Sequence, residues 1–94
     1  MAGDVTENTQ LHRFELAIAG DDLAIAAYRI DDRGRVVLTH TEVPKEYSGQ
    51  GVGGRLARGV FDAIRASGRK LVPQCPFMAA WYERHPDYAD VVDA

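Results

Sequence analysis

The feature that most constrains this sequence is the stretch from His40 to Gly54, where a strand end leads through a glycine-rich turn into a helix. Pro44 cannot donate a hydrogen bond to a sheet, so the strand should end near Val43. Four glycines lie close together after it, namely Gly49, Gly51, Gly53 and Gly54. Because glycine has no Cβ, the backbone here can approach a ligand closely and present its N–H groups to it.

An amphipathic helix is predicted to follow, from Gly51 to about Ser67. Its apolar residues recur at four-residue spacing, as Val52, Leu56, Val60 and Ile64. A helix N-terminus carries unpaired N–H groups and a partial positive charge. The pattern therefore predicts a phosphate or pyrophosphate site at Gly49–Gly54, although these glycines would also suit a tight connection without a ligand.

Two nucleotide-binding motifs can be compared with this loop. Gly49, Gly51 and Gly54 match the pattern G-x-G-x-x-G, which is a weak signal by itself. A dinucleotide site also expects an acidic residue at the end of the next strand, where this chain has Gln74 and Cys75. A chain of 94 residues is too short for a doubly wound domain, and the P-loop pattern does not occur.

The letters HTEVP at 40–44, followed by YSGQGVGGRLA at 47–57, resemble the acetyl-CoA-binding segment of the GNAT superfamily of N-acetyltransferases. The resemblance is greatest to the small, single-domain branch and runs from about His40 to Tyr88. The pyrophosphate loop of the superfamily has Arg or Gln, two variable residues, Gly, one variable residue, and Gly or Ala. The stretch Ser48–Gly53 fits this loop from the fourth position on, with Ser48 where Arg or Gln is usual.

The predicted fold is α/β (α+β), a minimal GNAT-like fold with a four-stranded mixed sheet, one long helix and one short helix. Polar residues 1–10 are predicted to form a flexible tail, and residues 11–94 the acetyl-CoA-binding domain. Three strands are predicted in an antiparallel meander, over residues 13–18, 23–30 and 36–43.

A fourth strand over residues 71–75 should lie parallel to the third through a right-handed crossover. Pro73 suggests that this strand lies at the sheet edge, or that it diverges from its neighbour and leaves room for a ligand at the strand ends. A short helix is predicted over residues 77–85, with the C-terminal residues packing back on the core.

Composition and charge argue against several classes of protein. The net charge of −3 and the pI of about 5.5 argue against non-specific binding to nucleic acid or to an anionic membrane. No apolar run is long enough to span a bilayer. The single cysteine cannot form an internal disulfide, and the three histidines lack metal-ligand spacing. We therefore expect a cytoplasmic protein without a metal site.

The resemblance implies acetyl-CoA as the cofactor, held by the strand end, the glycine loop and the first helical turn. The residues expected to contact it are Thr41, Glu42, Val43, Ser48, Gly49, Gln50, Gly51, Val52, Gly53, Gly54, Arg55, Cys75 and Tyr82. A backbone N–H near Val43 is the candidate donor to the thioester oxygen, because Pro44 interrupts the strand there. Of the basic residues Lys45, Arg55 and Arg58, Arg55 is the best placed to contact a phosphate; the alternative is a solvated helix face.

Three side chains are candidates for the transfer chemistry: Tyr82, Cys75 and His40. The resemblance places Tyr82 where the superfamily has its general-acid tyrosine, and the alternative is an ordinary half-buried aromatic residue. Cys75 is expected within the site, as an acyl-carrying thiolate or as a small apolar filler. His40 is preferred to Glu42, on the same strand face, as a base for the acceptor amine, because imidazole titrates near neutral pH.

Together these features predict an N-acetyltransferase that moves an acetyl group from acetyl-CoA to an amine by direct attack in a ternary complex. The alternative is a non-catalytic CoA-binding module or an interaction protein, which the departure at Ser48 and the short chain both allow. A redox or acyl-carrier protein acting through Cys75 ranks third. The sequence identifies neither the amine acceptor nor the oligomeric state.

Overall fold

The computed structural model describes residues 5–93, which form one sheet and two α-helices. The strands are β1 (Val5–Asn8), β2 (Arg13–Ala17), β3 (Leu23–Ile30), β4 (Val36–Glu42) and β5 (Leu71–Pro73). The helices are α1 (Val52–Ser67) and α2 (Pro76–Glu83), and 3-10 turns cover Lys45–Tyr47 and Pro86–Val91.

The strands lie side by side in the order of the sequence, from β1 to β5. The first four are antiparallel to one another because their connections are short. The strand β5 runs parallel to β4, with Val36 opposite Leu71, after the crossover through α1. The structure confirms the predicted α/β class and the antiparallel meander. It also confirms that the strand containing Pro73 lies at the sheet edge, parallel to the strand that precedes α1.

The sheet has five strands where the sequence predicted four. The additional strand is Val5–Asn8, which lies within the segment 1–10 predicted as a flexible tail and pairs with β2, Val5 opposite Leu16. Its sequence, VTEN, contains one apolar side chain, so no alternation of apolar and polar residues indicates a strand. Residues 1–4 of the predicted tail lie outside the described residues.

The strand β5 is shorter than predicted and ends at Pro73 rather than Cys75. The backbone N–H of Cys75 instead donates to the carbonyl of Leu38 at 2.8 Å, and Cys75 is the residue that precedes α2. Pro76 occupies the first position of this helix, where a missing N–H costs no hydrogen bond.

One apolar core joins the sheet to both helices. Phe61 of α1 is fully buried, and its ring contacts the rings of Trp81, Tyr82 and Tyr88 at centroid distances of 4.9, 6.3 and 5.4 Å. Gly68 ends α1 in the left-handed conformation, which glycine adopts without a Cβ penalty. Within residues 5–93, no helix has both the length and the apolar character needed to cross a membrane.

Candidate functional site

A cleft of about 310 Å³ opens at the N-terminal end of α1, between the loop that follows β4 and one side of α2. The residues that line it are Val43, Tyr47, Ser48, Gly49, Gly51, Val52, Gly53, Gly54, Phe77, Trp81 and Arg84. The predicted glycine loop therefore forms one wall of a concave site.

Two glycines of this wall have backbone angles that favour glycine. Gly49 and Gly51 both have φ of +78°, in the left-handed region that other residues rarely adopt. A Cβ built at either position would meet nothing within 4 Å, so the backbone conformation rather than crowding requires glycine here.

The start of α1 presents backbone donors to the cleft. Gly51 is the N-cap and has no side chain to accept a hydrogen bond, and the first helical bond runs from the Arg55 N–H to the Gly51 carbonyl at 3.1 Å. The N–H groups of Val52, Gly53 and Gly54 precede that bond and have no acceptor within the helix. With the helix dipole, they make this wall suited to an anion.

Gly53 also allows α2 to approach α1, because a Cβ there would lie 2.7 Å from Cζ of Phe77. A Cβ at Gly54 would make only an ordinary contact, 3.9 Å from Nε1 of Trp81. Gly53 therefore has a packing role between the two walls of the cleft, which the sequence did not distinguish from ligand contact.

Beyond the cleft, β4 and β5 stop pairing. Their last paired residues are Leu38 and Pro73, and β4 continues to Glu42 without a β5 residue opposite. Past this point the Cys75 N–H bonds to the Leu38 carbonyl, and Oγ1 of Thr41 lies 3.2 Å from Sγ of Cys75. The ladder therefore ends at Pro73 while the residues after β5 remain in contact with β4, and the divergence of the two strands stays a prediction.

The three predicted catalytic side chains do not line the cleft. Tyr82 is half-buried and stacks on Phe61, with an angle of 14° between the rings. Cys75 is buried beside Thr41. His40 is 59% exposed at the end of β4, and its Nε2 lies 3.3 Å from Oε2 of Glu42, so these two side chains share a face as predicted.

The predicted cofactor-binding residues divide into two groups. Those that line the cleft are Val43, Ser48, Gly49, Gly51, Val52, Gly53 and Gly54. Those outside its lining are Thr41, Glu42, Gln50, Arg55, Cys75 and Tyr82. Among the weaker candidates, Arg58 donates to the hydroxyl of Tyr88 at 3.2 Å and lies over the ring of Trp81, which gives it a packing role.

Four lining residues were not predicted: Tyr47, Phe77, Trp81 and Arg84. The last three are spaced four and three positions apart on α2, so helical periodicity applied to that short helix would have grouped them on one side. Tyr47 donates to Oδ2 of Asp22 at 2.8 Å, which ties the loop to the β2–β3 turn. This hydrogen bond to the carboxylate raises the pKa of the Tyr47 hydroxyl.

A protein-family model described as GCN5-related N-acetyl-transferase matches residues 13–91. The chain is also similar to a Staphylococcus aureus protein described as a "GCN5-like putative N-acetyltransferase", whose solution structure was determined by NMR. The two share 27% sequence identity with a TM-score of 0.71, over 96% of this chain and 87% of the other. No curated protein sequence matches.

Proposed function

This chain belongs to the GCN5-related N-acetyltransferase family, and from that premise we propose that it binds acetyl-CoA in the cleft and transfers the acetyl group to an amine. The observation that carries the proposal is the anion-suited wall at the start of α1, where Gly49 and Gly51 shape the loop and the first N–H groups of the helix lack acceptors.

The size of the cleft indicates which part of acetyl-CoA it would take. A volume of about 310 Å³ is at the lower end for a small-molecule site. It suits the pyrophosphate rather than the whole cofactor. The pantetheine arm would then run past Val43 towards the unpaired end of β4, and the thioester would lie near Thr41 and Cys75.

The reaction would need a polarised carbonyl, a base and an acid. The thioester carbonyl would accept from a backbone N–H near Val43. As the amine nitrogen forms its bond to the acetyl carbon, the C–S bond breaks, the amine loses a proton and the departing sulfur takes one up. In the proposed assignment His40, paired with Glu42, receives the first proton, and Tyr82 supplies the second.

The surroundings of the Cys75 thiol favour direct transfer of the acetyl group over a route through an acetylated cysteine. Its sulfur contacts the hydroxyl of Thr41, so the described contact is with a neutral group and not with a histidine that could remove its proton. A buried thiol in such surroundings fits a packing role beside the reacting group.

The deciding experiment is calorimetric titration of the purified protein with acetyl-CoA and with CoA, followed by a thiol-release assay with a panel of amines and by intact mass. Binding with amine-dependent release of CoA supports the proposal. Binding without release favours the non-catalytic CoA-binding module. An acetyl adduct on Cys75 would replace direct transfer by a covalent route, and no binding at millimolar ligand would contradict the proposed function.

A further inference from the structure

We propose that Arg84, together with the indole N–H of Trp81, is the side-chain ligand of the pyrophosphate in this cleft. The inference rests on the proposed function and assigns a donor set to its cofactor site. It places the charge on α2, opposite the glycine loop, and not at Ser48, where the superfamily loop has Arg or Gln.

The charge of the cleft comes from a single side chain. Arg84 is exposed at the C-terminal end of α2, and every other residue in the cleft lining is formally neutral. The arginines Arg13, Arg35, Arg65 and Arg69 are each held by a carboxylate. Within residues 5–93, Arg84 has no such partner, so its guanidinium is available to an anion in the cleft.

Trp81 provides an independent observation. Its side chain is only 3% exposed and lines the cleft, with Nε1 on the side of Gly54. Within residues 5–93 no acceptor is present for this N–H, and no buried side-chain nitrogen or oxygen there lacks a partner, so the N–H is open to the cleft although the ring around it is buried. A ligand oxygen in the cleft would satisfy it.

The two walls then act on the same anion. The N–H groups of Val52, Gly53 and Gly54 approach from α1, and Arg84 with Trp81 approaches from α2. A planar guanidinium can bond two phosphate oxygens at once, and such charge-assisted bonds are stronger than neutral ones. A serine hydroxyl at Ser48 supplies no charge, so the binding free energy from charge should come from Arg84.

The test uses the single tryptophan of the chain, Trp81, as the reporter, because its fluorescence should change when a ligand enters the cleft. CoA is titrated into the wild-type protein and into Arg84→Gln, Arg84→Lys and Arg33→Gln. Arg33 is exposed in the β3–β4 turn, at the end of β4 away from the cleft. The Arg33→Gln variant is therefore the control, because it removes one positive charge without changing the cleft.

We expect Arg84→Gln to raise the Kd for CoA about tenfold, Arg84→Lys to raise it less, and Arg33→Gln to leave it unchanged. The Arg84-dependent difference should shrink as ionic strength rises. An unchanged thermal midpoint for Arg84→Gln would show that the fold is intact, as expected for an exposed side chain.

A second titration uses dephospho-CoA, which keeps the pyrophosphate of CoA but lacks its 3′-phosphate. It shows which of these two groups Arg84 contacts. If Arg84→Gln weakens both ligands equally, the pyrophosphate assignment stands; if only CoA is weakened, the assignment is overturned. Equal binding of CoA by wild-type and Arg84→Gln proteins would overturn this inference alone. Failure of the wild-type protein to bind CoA would remove the proposed function and this inference with it.

Discussion

At the residue scale, the role of Gly51 in ligand binding can be tested by comparison with a glycine of the same backbone conformation outside the cleft. Gly51 in the loop and Gly34 in the β3–β4 turn have φ of +78° and +77°, and a Cβ at either would meet nothing within 4 Å. Alanine at either site should therefore cost about 1–2 kcal/mol of unfolding free energy through backbone strain. Only Gly51→Ala should weaken CoA binding, by about tenfold, because it alters the donor geometry of the cleft.

Denaturant melts and CoA titrations of both variants would provide the comparison. Similar losses of stability together with unequal losses of affinity would separate ligand contact from turn formation. Equal CoA affinity for Gly51→Ala and Gly34→Ala would mean that the loop geometry is not used for binding.

Tyr82 can be tested by removing only its hydroxyl. Tyr82→Phe keeps the ring that stacks on Phe61 and takes away the proposed proton donor. If Tyr82 is the general acid, kcat should fall by about 10²-fold or more while the Kd for CoA stays the same. Steady-state kinetics with a parallel binding titration would show this, and an unchanged kcat would leave Tyr82 as a packing residue.

At the element scale, β1 is held against α1 at one point of close approach. Gly59 of α1 is buried, and a Cβ there would lie 2.6 Å from Cβ of Val5 and would also overlap a methyl group of that valine. Gly59→Ala should push β1 away from α1 and lower the free energy of unfolding by about 1–3 kcal/mol. Chemical denaturation would measure the loss, and hydrogen exchange should be faster in β1 than in β3.

The matched control for this contact is the double variant Val5→Gly with Gly59→Ala, which removes the overlap from the other side. Its destabilisation should be smaller than the sum of the two single changes. Strict additivity would indicate that Gly59 does not contact β1.

A second contact of β1 is the ion pair between Glu7 and Arg69, which makes the stability of the fold depend on pH. Glu7 accepts from Nη2 of Arg69 at 2.8 Å and from the hydroxyl of Tyr28 at 2.5 Å. The bond to Arg69, then that to Tyr28, holds the pKa of Glu7 below its ordinary value of 4.5. Burial, then Glu7, raises the pKa of Tyr28 to about 12, so its hydroxyl remains a donor at neutral pH.

Because the pKa of Glu7 is lower in the folded state, its contribution to stability is present above about pH 4.5 and is lost as the pH falls through the folded value. Glu7→Gln should lower the free energy of unfolding by about 1 kcal/mol at pH 7. The free energy of unfolding of this variant should also fall less steeply than that of the wild-type protein as the pH is lowered. Denaturant midpoints between pH 7 and 3 would measure both effects. Arg69→Gln should cost less in that background than alone, and an unchanged acid limb would contradict the assignment.

At the scale of the whole molecule, the cleft connects elements that are distant in sequence, so a ligand in it should stabilise the entire domain. At a CoA concentration of 100 times its Kd, linkage predicts about 2.7 kcal/mol of added stability. For a domain of this size that corresponds to a rise in Tm of about 10 °C or more. Differential scanning fluorimetry with CoA, and with adenosine as the control without phosphate, would measure it; equal shifts for the two would exclude a phosphate site.

How much of the fold followed from the sequence differs from element to element. The periodicity of α1 and the patterns behind the three strands of the meander predicted those elements, because each depends on contacts between near neighbours in the chain. The strand β1 was missed because its sequence, VTEN, has one apolar side chain and so no alternation, and because its ionic contact with Arg69 lies 62 positions along the chain. The end of β5 was misplaced because the Cys75 N–H turns to Leu38 instead of continuing the strand.

The sequence by itself determined the class of fold, the position of the glycine loop and the start of the helix behind it, since proline, glycine and apolar spacing act locally. The tertiary structure decided which side chains face that loop. Phe77, Trp81 and Arg84 line the cleft, while Cys75 and Tyr82 do not, because the packing of α2 against α1 sets which side of the short helix is turned towards the loop. No spacing within α2 reveals that orientation, which depends on contacts made with residues about 20 to 30 positions earlier in the chain.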